Sequence, residues 1–222
     1  GNPANFQDNN PELHPLPGNF LGIVYKGGFI VPILMSTLII TIVFVIERFI
    51  TIGSSKGVGP VDAFIHNVRQ SLAKDDMNGA IAACNKQKGS IAAVVLAGVT
   101  AYQEMSKDST LDKEHKIATI QKEIEEATTL ELPMMSKNLI IISTIASIAT
   151  LLGLLGTVFG MIKAFAALAQ AGSPDATALA TGISEALINT ALGIGTSAVA
   201  IIFYNYFTSK IDSITYGIDE AG

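Results

Sequence analysis

Three long uncharged stretches mark this chain: Gly27 to Ile46, Asn138 to Ile162 and Ala186 to Ser209. A helix rises about 1.5 Å per residue and a bilayer core is roughly 30 Å thick, so about 20 apolar residues suffice to cross it. Each stretch meets that length, and the pattern predicts an all-α integral membrane protein with three transmembrane helices. The first is almost wholly aliphatic or Phe, with Ser36, Thr37 and Thr41 its hydroxyls, and it ends at Glu47-Arg48. Pro32 stands near its start, where a missing N–H is tolerated. This is the span expected to face lipid.

The other two spans carry polar and small residues that lipid gives no reason to place there. In the second, Ser143, Thr150 and Thr157 recur every seven residues, with Ser147 between the first two. Gly153, Gly156 and Gly160 follow on its outer half, and Gly156-x-x-x-Gly160 is a close-packing signature of membrane helices. In the third, Thr190, Ser197 and Tyr204 repeat the spacing, with Ala186, Gly193 and Ala200 near the same face and Asn189 and Thr196 also inside. Such faces bury best against each other, or around a common axis when copies of the chain assemble. As a set they favour a lined passage, whereas any one hydroxyl could simply bond its own helix four residues back.

Glu185 opens the third span, where the helix dipole favours a carboxylate. An anchoring role and a role in ion passage are both open for it, and Lys163, at the end of the preceding span, is a candidate partner. Apart from Glu185 the spans hold no titratable Asp, Glu, His, Lys or Arg. A proton carrier needs such a group within the membrane, so a second subunit is expected to bring it.

Residues 49–137 are polar and helical in character. Val61, Phe64, Ile65, Val68 and Leu72 form one apolar stripe, and Ile117, Ile120, Ile124 and Ala127 form another on a charged helix from about Leu111 to Leu132. Gly89-Ser90 is expected to break the chain and cap a helix from Ile91 to about Met105, and Pro133 to interrupt or kink the charged helix. The first two dozen residues, with Pro3, Pro11, Pro15 and Pro17, read as an extended tail leading to a Phe20–Tyr25 cluster suited to the membrane interface. Gly1 in place of an initiator methionine leads us to expect a trimmed or engineered native end.

Composition agrees with a membrane protein: 49% of the 222 residues are hydrophobic and 15% charged, and the mean hydropathy is +0.45. The net charge of −5 argues against nucleic acid. The single cysteine, Cys84, cannot form an intrachain disulfide and is expected to be buried. Lys and Arg near the spans set orientation. Arg48, Lys56, Lys122, Lys137 and Lys210 lie on one side, Lys26 and Lys163 on the other. The resulting division is a periplasmic tail and interfacial segment (1–26), spans at 27–46, 138–162 and 185–209, a cytoplasmic helical domain (47–137), a periplasmic loop (163–184) and a cytoplasmic C-terminus (210–222). Residues 47–137 hold 11 Lys and Arg against 12 Asp and Glu, so this domain has no polybasic lipid-binding block.

Catalytic signatures are weak. His14, His66 and His115 are widely separated, and no P-loop, nucleophile elbow or Cys-x-x-Cys occurs. The chain is read as no enzyme, with no cofactor and no metal. A secondary transporter would call for internal repeats with broken helices, which three spans do not supply.

The run Leu152-Gly153-Leu154-Leu155-Gly156-Thr157-Val158-Phe159-Gly160-Met161, then Gly182-Ile183-Ser184-Glu185-Ala186-Leu187, Thr190-Ala191-Leu192-Gly193 and Tyr204-Asn205, closely resembles the MotA/TolQ/ExbB proton-channel family, its ExbB branch above all. Glu47-Arg48 and the order of the segments fit the resemblance too. It implies a homo-oligomeric ring, commonly a pentamer, around the single-span helices of ExbD-like partners, which carry the proton-accepting aspartate. TonB-like proteins would couple that ring to outer-membrane transport from the bacterial inner membrane. The family's pore threonines map onto Thr157 and Thr190 and its third-span glutamate onto Glu185, with Ser143, Ser147 and Thr150 extending a polar track. Gly153, Gly156, Gly160 and Gly193 are read as packing positions. A TolQ-like envelope motor, a gliding or flagellar stator, and a non-conducting scaffold are the alternatives. Many relatives have a proline in the third span where this chain reads Ala198-Val199-Ala200, so a kink there is not expected.

Overall fold

The computed structural model describes residues 2–10, 15–108, 110–169 and 175–221, and they form eight α-helices. These are α1 (Phe20–Tyr25), α2 (Ile30–Ser55), α3 (Val61–Ala73), α4 (Met77–Gln87), α5 (Gly89–Lys107), α6 (Lys113–Ser136), α7 (Leu139–Leu168) and α8 (Ala176–Ala221). Three helical stretches, Ile30–Ser55, Lys113–Leu168 and Ala176–Ile218, are long and apolar enough to cross a membrane. The protein is an all-α membrane protein. The chain divides into two compact units, one of Gly1–Phe44 with Ile141–Tyr204 and one of Val45–Ile140 with Asn205–Gly222.

In the first unit, α7 and α8 lie close along a seam of glycines. A β-carbon on Gly193 would stand 2.6 Å from the Ala149 carbonyl oxygen and 2.7 Å from Gly153 Cα, and one on Gly160 would stand 2.7 Å from the Gly182 carbonyl oxygen. Only hydrogen in place of a side chain permits that approach, which brings many backbone atoms into dispersion contact where the hydrophobic effect is absent. Away from the seam each spanning helix exposes large apolar side chains: Ile33, Ile39 and Ile42 on α2, Leu151, Leu154 and Val158 on α7, Leu187, Ile194 and Ile202 on α8. The aliphatic α2 is not uniformly outward, since Leu34 and Thr41 are buried and the Thr41 hydroxyl donates to the Thr37 carbonyl.

The N-terminal segment folds back instead of extending. Phe6 is buried, bridges to Pro15, stacks edge-on against Tyr25 with ring centroids 5.6 Å apart, and lies under the Lys26 ammonium. The described tail forms two short 3-10 turns, Pro3–Asn5 and Gln7–Asn9, and Phe6 between them supplies apolar area for burial against Tyr25. His14 lies outside the described residues.

The second unit is a helical core built from α3 to α6. The α3 stripe buries Phe64 and Val68, Cys84 and Ala80 come from α4, and Ile91, Val94 and Val99 come from α5. A β-carbon on Gly98 would stand 2.9 Å from Ile124, so α5 and α6 also approach closely. Asp76 caps α4 through Gly79 N, and Asp112 caps α6 through His115 N.

Two breaks expected from the sequence fall elsewhere in the structure. Ser90 does not cap a helix starting at Ile91; the helix already begins at Gly89, and the chain turns at Lys88, whose φ of 57° is in the left-handed region. Gly89 is required instead by its neighbours, because a β-carbon would stand 2.6 Å from both Gly57 N and Ser55 O. Nor does Pro133 end α6, which continues to Ser136 before the chain breaks at Lys137. The terminal carbonyls of Met134 and Met135 accept from the Arg48 guanidinium at 3.5 and 3.0 Å, so the turn beyond the proline is held by a side chain from α2. The helices also outrun the apolar stretches. Within 163–184, the described residues up to Leu168 continue α7 and those from Ala176 begin α8, residues 170–174 lying outside the description, and the segment 210–221 remains helical. Apolar length measures a lipid crossing, whereas helix length follows backbone hydrogen bonding, which polar residues sustain equally well.

Candidate functional site

The first unit gathers the singled-out residues into three places along α7 and α8. The first is a hydroxyl pair. Thr157 and Thr190 touch through their Oγ1 atoms, and Thr157 Oγ1 also lies 3.2 Å from the Gly153 carbonyl and 3.4 Å from the Ala186 carbonyl. A hydroxyl has one proton to give. If Thr157 donates to a carbonyl, Thr190 donates to Thr157, and the reverse order of protons is equally open to the pair. Both threonines are half-buried, and the glycine seam on either side sets their spacing.

The second place is a cavity of about 370 Å³ lined by Ser143, Ser147, Thr150, Ser197 and Tyr204, with Ala146 and Ile201. The stripes read from sevenfold spacing on two helices thus meet in one recess that carries five hydroxyl side chains. Ser147 and Thr150 are exposed, whereas Ser197 is buried and donates to the Ala146 carbonyl at 2.6 Å. Ser197 therefore joins the helices as well as lining the recess.

The third place surrounds Glu185, which lies more than two turns inside α8 and not at its N-terminus, so the helix end expected to favour its carboxylate is not beside it. Its side chain is 6% exposed and receives both oxygens' bonds from Lys163 Nζ, at 2.8 and 2.9 Å. Burial of a lone carboxylate is costly, and the ammonium offsets that cost while its own end reaches the surface. On the other side Glu185 lies against Gly28. That residue has φ +77°, and a β-carbon there would overlap the carboxylate.

Two residues matter here that sequence reasoning left out of the site. Asn189, fully buried, donates from Nδ2 to the Gly27 carbonyl at 2.9 Å, and its Oδ1 has no partner among the described residues. Its signal was available: it stands four residues after Glu185, on the same helix face. Gly182 pairs with Gly160 as Gly193 pairs with Gly153. Gly156 faces Asn189, whose Cγ would stand 2.7 Å from an added β-carbon, so it receives a side chain and not a second glycine.

A model of the MotA/TolQ/ExbB proton channel family matches residues 86–220, which include the whole of α7 and nearly all of α8. The chain belongs to this family. Among its curated relatives, the Tol-Pal system protein TolQ of Haemophilus influenzae is 36% identical over 98 residues, covering 42% of this chain and 43% of that protein. The biopolymer transport protein ExbB of Salmonella typhimurium is 38% identical over 72 residues, 32% of this chain and 30% of that protein. That of Pseudomonas putida is 34% identical over 87 residues, 39% and 26%. In each of the three, the aligned stretch spans less than half of the relative. The Thr157–Thr190 contact and the glycine seam put paired hydroxyls on helices whose described residues offer only one buried carboxylate, already paired.

Proposed function

We propose that this chain is the ring-forming channel subunit of a proton-driven membrane motor of ExbB type. In this reading copies of the chain, five by family resemblance, surround the helices of an ExbD-like partner whose aspartate carries the proton, and a TonB-like protein transmits the work to outer-membrane transporters. The observation that carries it is the Thr157–Thr190 hydroxyl pair. Such a pair can give or take a hydrogen bond without holding charge, which suits a surface past which a partner's carboxyl group cycles between protonated and ionised forms. Glu185 is less suited to that cycle because Lys163 already neutralises it, so we assign it to anchoring the outer end of the seam.

Ser143, Ser147 and Thr150 would extend the polar track on the inner side. The spans are taken as 27–46, 138–162 and 185–209, with the N-terminus and the loop periplasmic, and residues 47–137 and the C-terminus cytoplasmic. A TolQ-like role in envelope maintenance is the second reading, favoured by the 36% identity to a TolQ protein.

Valine at positions 157 and 190 preserves side-chain shape and removes the hydroxyls. The double variant Thr157→Val/Thr190→Val, produced with its partner, is expected to assemble normally and to lose energy-dependent uptake in a strain lacking its own subunit. Full uptake by an assembled double variant would overturn the pathway. It would leave a scaffold role in its place.

A further inference from the structure

Within the second unit, Phe49, Ile52 and Gly53 of α2, Lys56 just past its end, and Tyr206, Phe207 and Lys210 of α8 line a cavity of about 200 Å³. Ile52 and Gly53 follow Phe49 by three and four residues, so these α2 residues present one face, and on α8 Tyr206 and Lys210 stand one turn apart. The rings form the floor: Phe49 packs against Phe207 and Tyr206 at centroid distances of 5.0 and 5.5 Å. Phe49 and Tyr206 nonetheless remain 45% and 44% exposed. The rim is cationic. Lys210 Nζ lies 6.0 Å from the Tyr206 ring centroid, and neither Lys56 nor Lys210 has an ion-pair partner among the described residues.

The groove's position along the chain gives it a second meaning. The uncharged stretches of α2 and α8 end at Ile46 and Ser209, so Phe49 and Tyr206 fall within a turn of those ends. Glu47 and Arg48 come between Ile46 and the groove, but they pair with each other, and Arg48 is turned inward to the α6 carbonyls. Lys56 and Lys210 are thus the uncompensated cations where two spanning helices leave the apolar layer. An apolar aromatic floor next to two ammonium groups at that level matches one kind of ligand end to end: acyl chain on the rings, phosphate on the lysines.

We propose that this groove binds the headgroup region of an anionic glycerophospholipid, one per chain, with Lys56 and Lys210 holding its phosphate and Phe49 and Tyr206 its upper acyl chain. The proposal does not depend on the chain's role as a motor subunit. It needs only that α2 and α8 cross the membrane.

The test uses the full chain purified in a neutral detergent and native mass spectrometry with dioleoylphosphatidylglycerol or dioleoylphosphatidylcholine as probe. Retention of phosphatidylglycerol at one per chain, well above phosphatidylcholine, is expected. A lysine at an anionic lipid surface contributes about fivefold in affinity, so Lys56→Gln and Lys210→Gln should each weaken retention about fivefold and together about 30-fold. The double Lys→Arg variant should keep it, which separates charge from packing, and both single variants test the idea even if the double Gln variant folds poorly. Equal retention of the two lipids, or no loss in the Gln variants, would sink the proposal. So would displacement of the lipid by inorganic phosphate, which would mark a site for soluble anions. Disulfide cross-linking between copies through Gly53→Cys in a Cys84→Ala background would likewise overturn it, by showing that a second chain fills the groove.

Discussion

Asn189 reaches from the middle of α8 to the backbone carbonyl of Gly27, 162 positions earlier in the chain, with an Nδ2 to oxygen distance of 2.9 Å. The turn it holds is the one that launches α2. Gly28, the next residue in that turn, lies against Glu185, one helical turn before Asn189, so two side chains of a single α8 face clamp the start of another spanning helix. Lys163 ties the same carboxylate to α7, and the three spans are thereby joined at one end by polar contacts made by buried groups.

Replacing Asn189 by Leu keeps the number and branching of side-chain heavy atoms, though not the volume, and strands the Gly27 carbonyl without its donor. The loss is expected to be about 1–2 kcal/mol, between typical membrane hydrogen-bond values and the cost of an unsatisfied buried acceptor. Reversible unfolding in mixed micelles by SDS would measure it. Unchanged stability would show that this bond does not hold the turn.

The glycines of α8 should separate cleanly by position. Gly193→Ala places a methyl group 2.6 Å from a backbone oxygen of α7 and is expected to destabilise by about 1–3 kcal/mol through overpacking. Gly195→Ala meets nothing within 4 Å and should be neutral or stabilise the isolated chain by about 0.5–1 kcal/mol, as alanine is the better helix former. The same unfolding assay run on both would be contradicted by equal effects.

Arg48→Met removes the donor to the Met134 and Met135 carbonyls and leaves Glu47 with only Thr51 and Asn138. A charged hydrogen bond of this kind contributes about 1.5–3 kcal/mol, and the local consequence should exceed the global one. Amide exchange should rise at residues 134–138, the last turn of α6 and the break after it, before the rest of that helix loosens. Protection unchanged there would mean that the last turn stands without the guanidinium.

The start of α6 should respond to acid. Asp112 accepts from the His115 amide at 2.8 Å and contacts its ring, and these bonds hold the carboxyl below the usual carboxylate range. A group with a lowered folded pKa stabilises the fold above its unfolded pKa, and that contribution disappears as pH falls through the folded value. The first turn of α6 should therefore fray only in acid below the ordinary carboxylate range. Asp112→Asn, which still accepts a hydrogen bond but does not titrate, should remove the loss of amide protection at His115 in acid, measured relative to the intrinsic exchange rate at each pH. An Asn variant with an unaltered pH profile would assign the dependence elsewhere.

Hydropathy along the chain was enough to locate three membrane-length helices, because crossing lipid imposes a length and a polarity that each segment meets by itself. The sevenfold recurrence of Ser143, Thr150 and Thr157 on α7 and of Thr190, Ser197 and Tyr204 on α8 likewise revealed which faces would meet, since a helix turns local spacing into a surface. Which individual residues touch was decided only in three dimensions. Gly28 against Glu185, Asn189 on Gly27 and Arg48 on the end of α6 all join residues distant in sequence, and each contact depends on how closely glycine lets two groups approach or on which carbonyl a fold leaves unpaired. The continuation of α6 past Pro133 has the same origin. Helix propensity marks the proline as a break or a kink, whereas a guanidinium from another helix supplies what the last turn lacks.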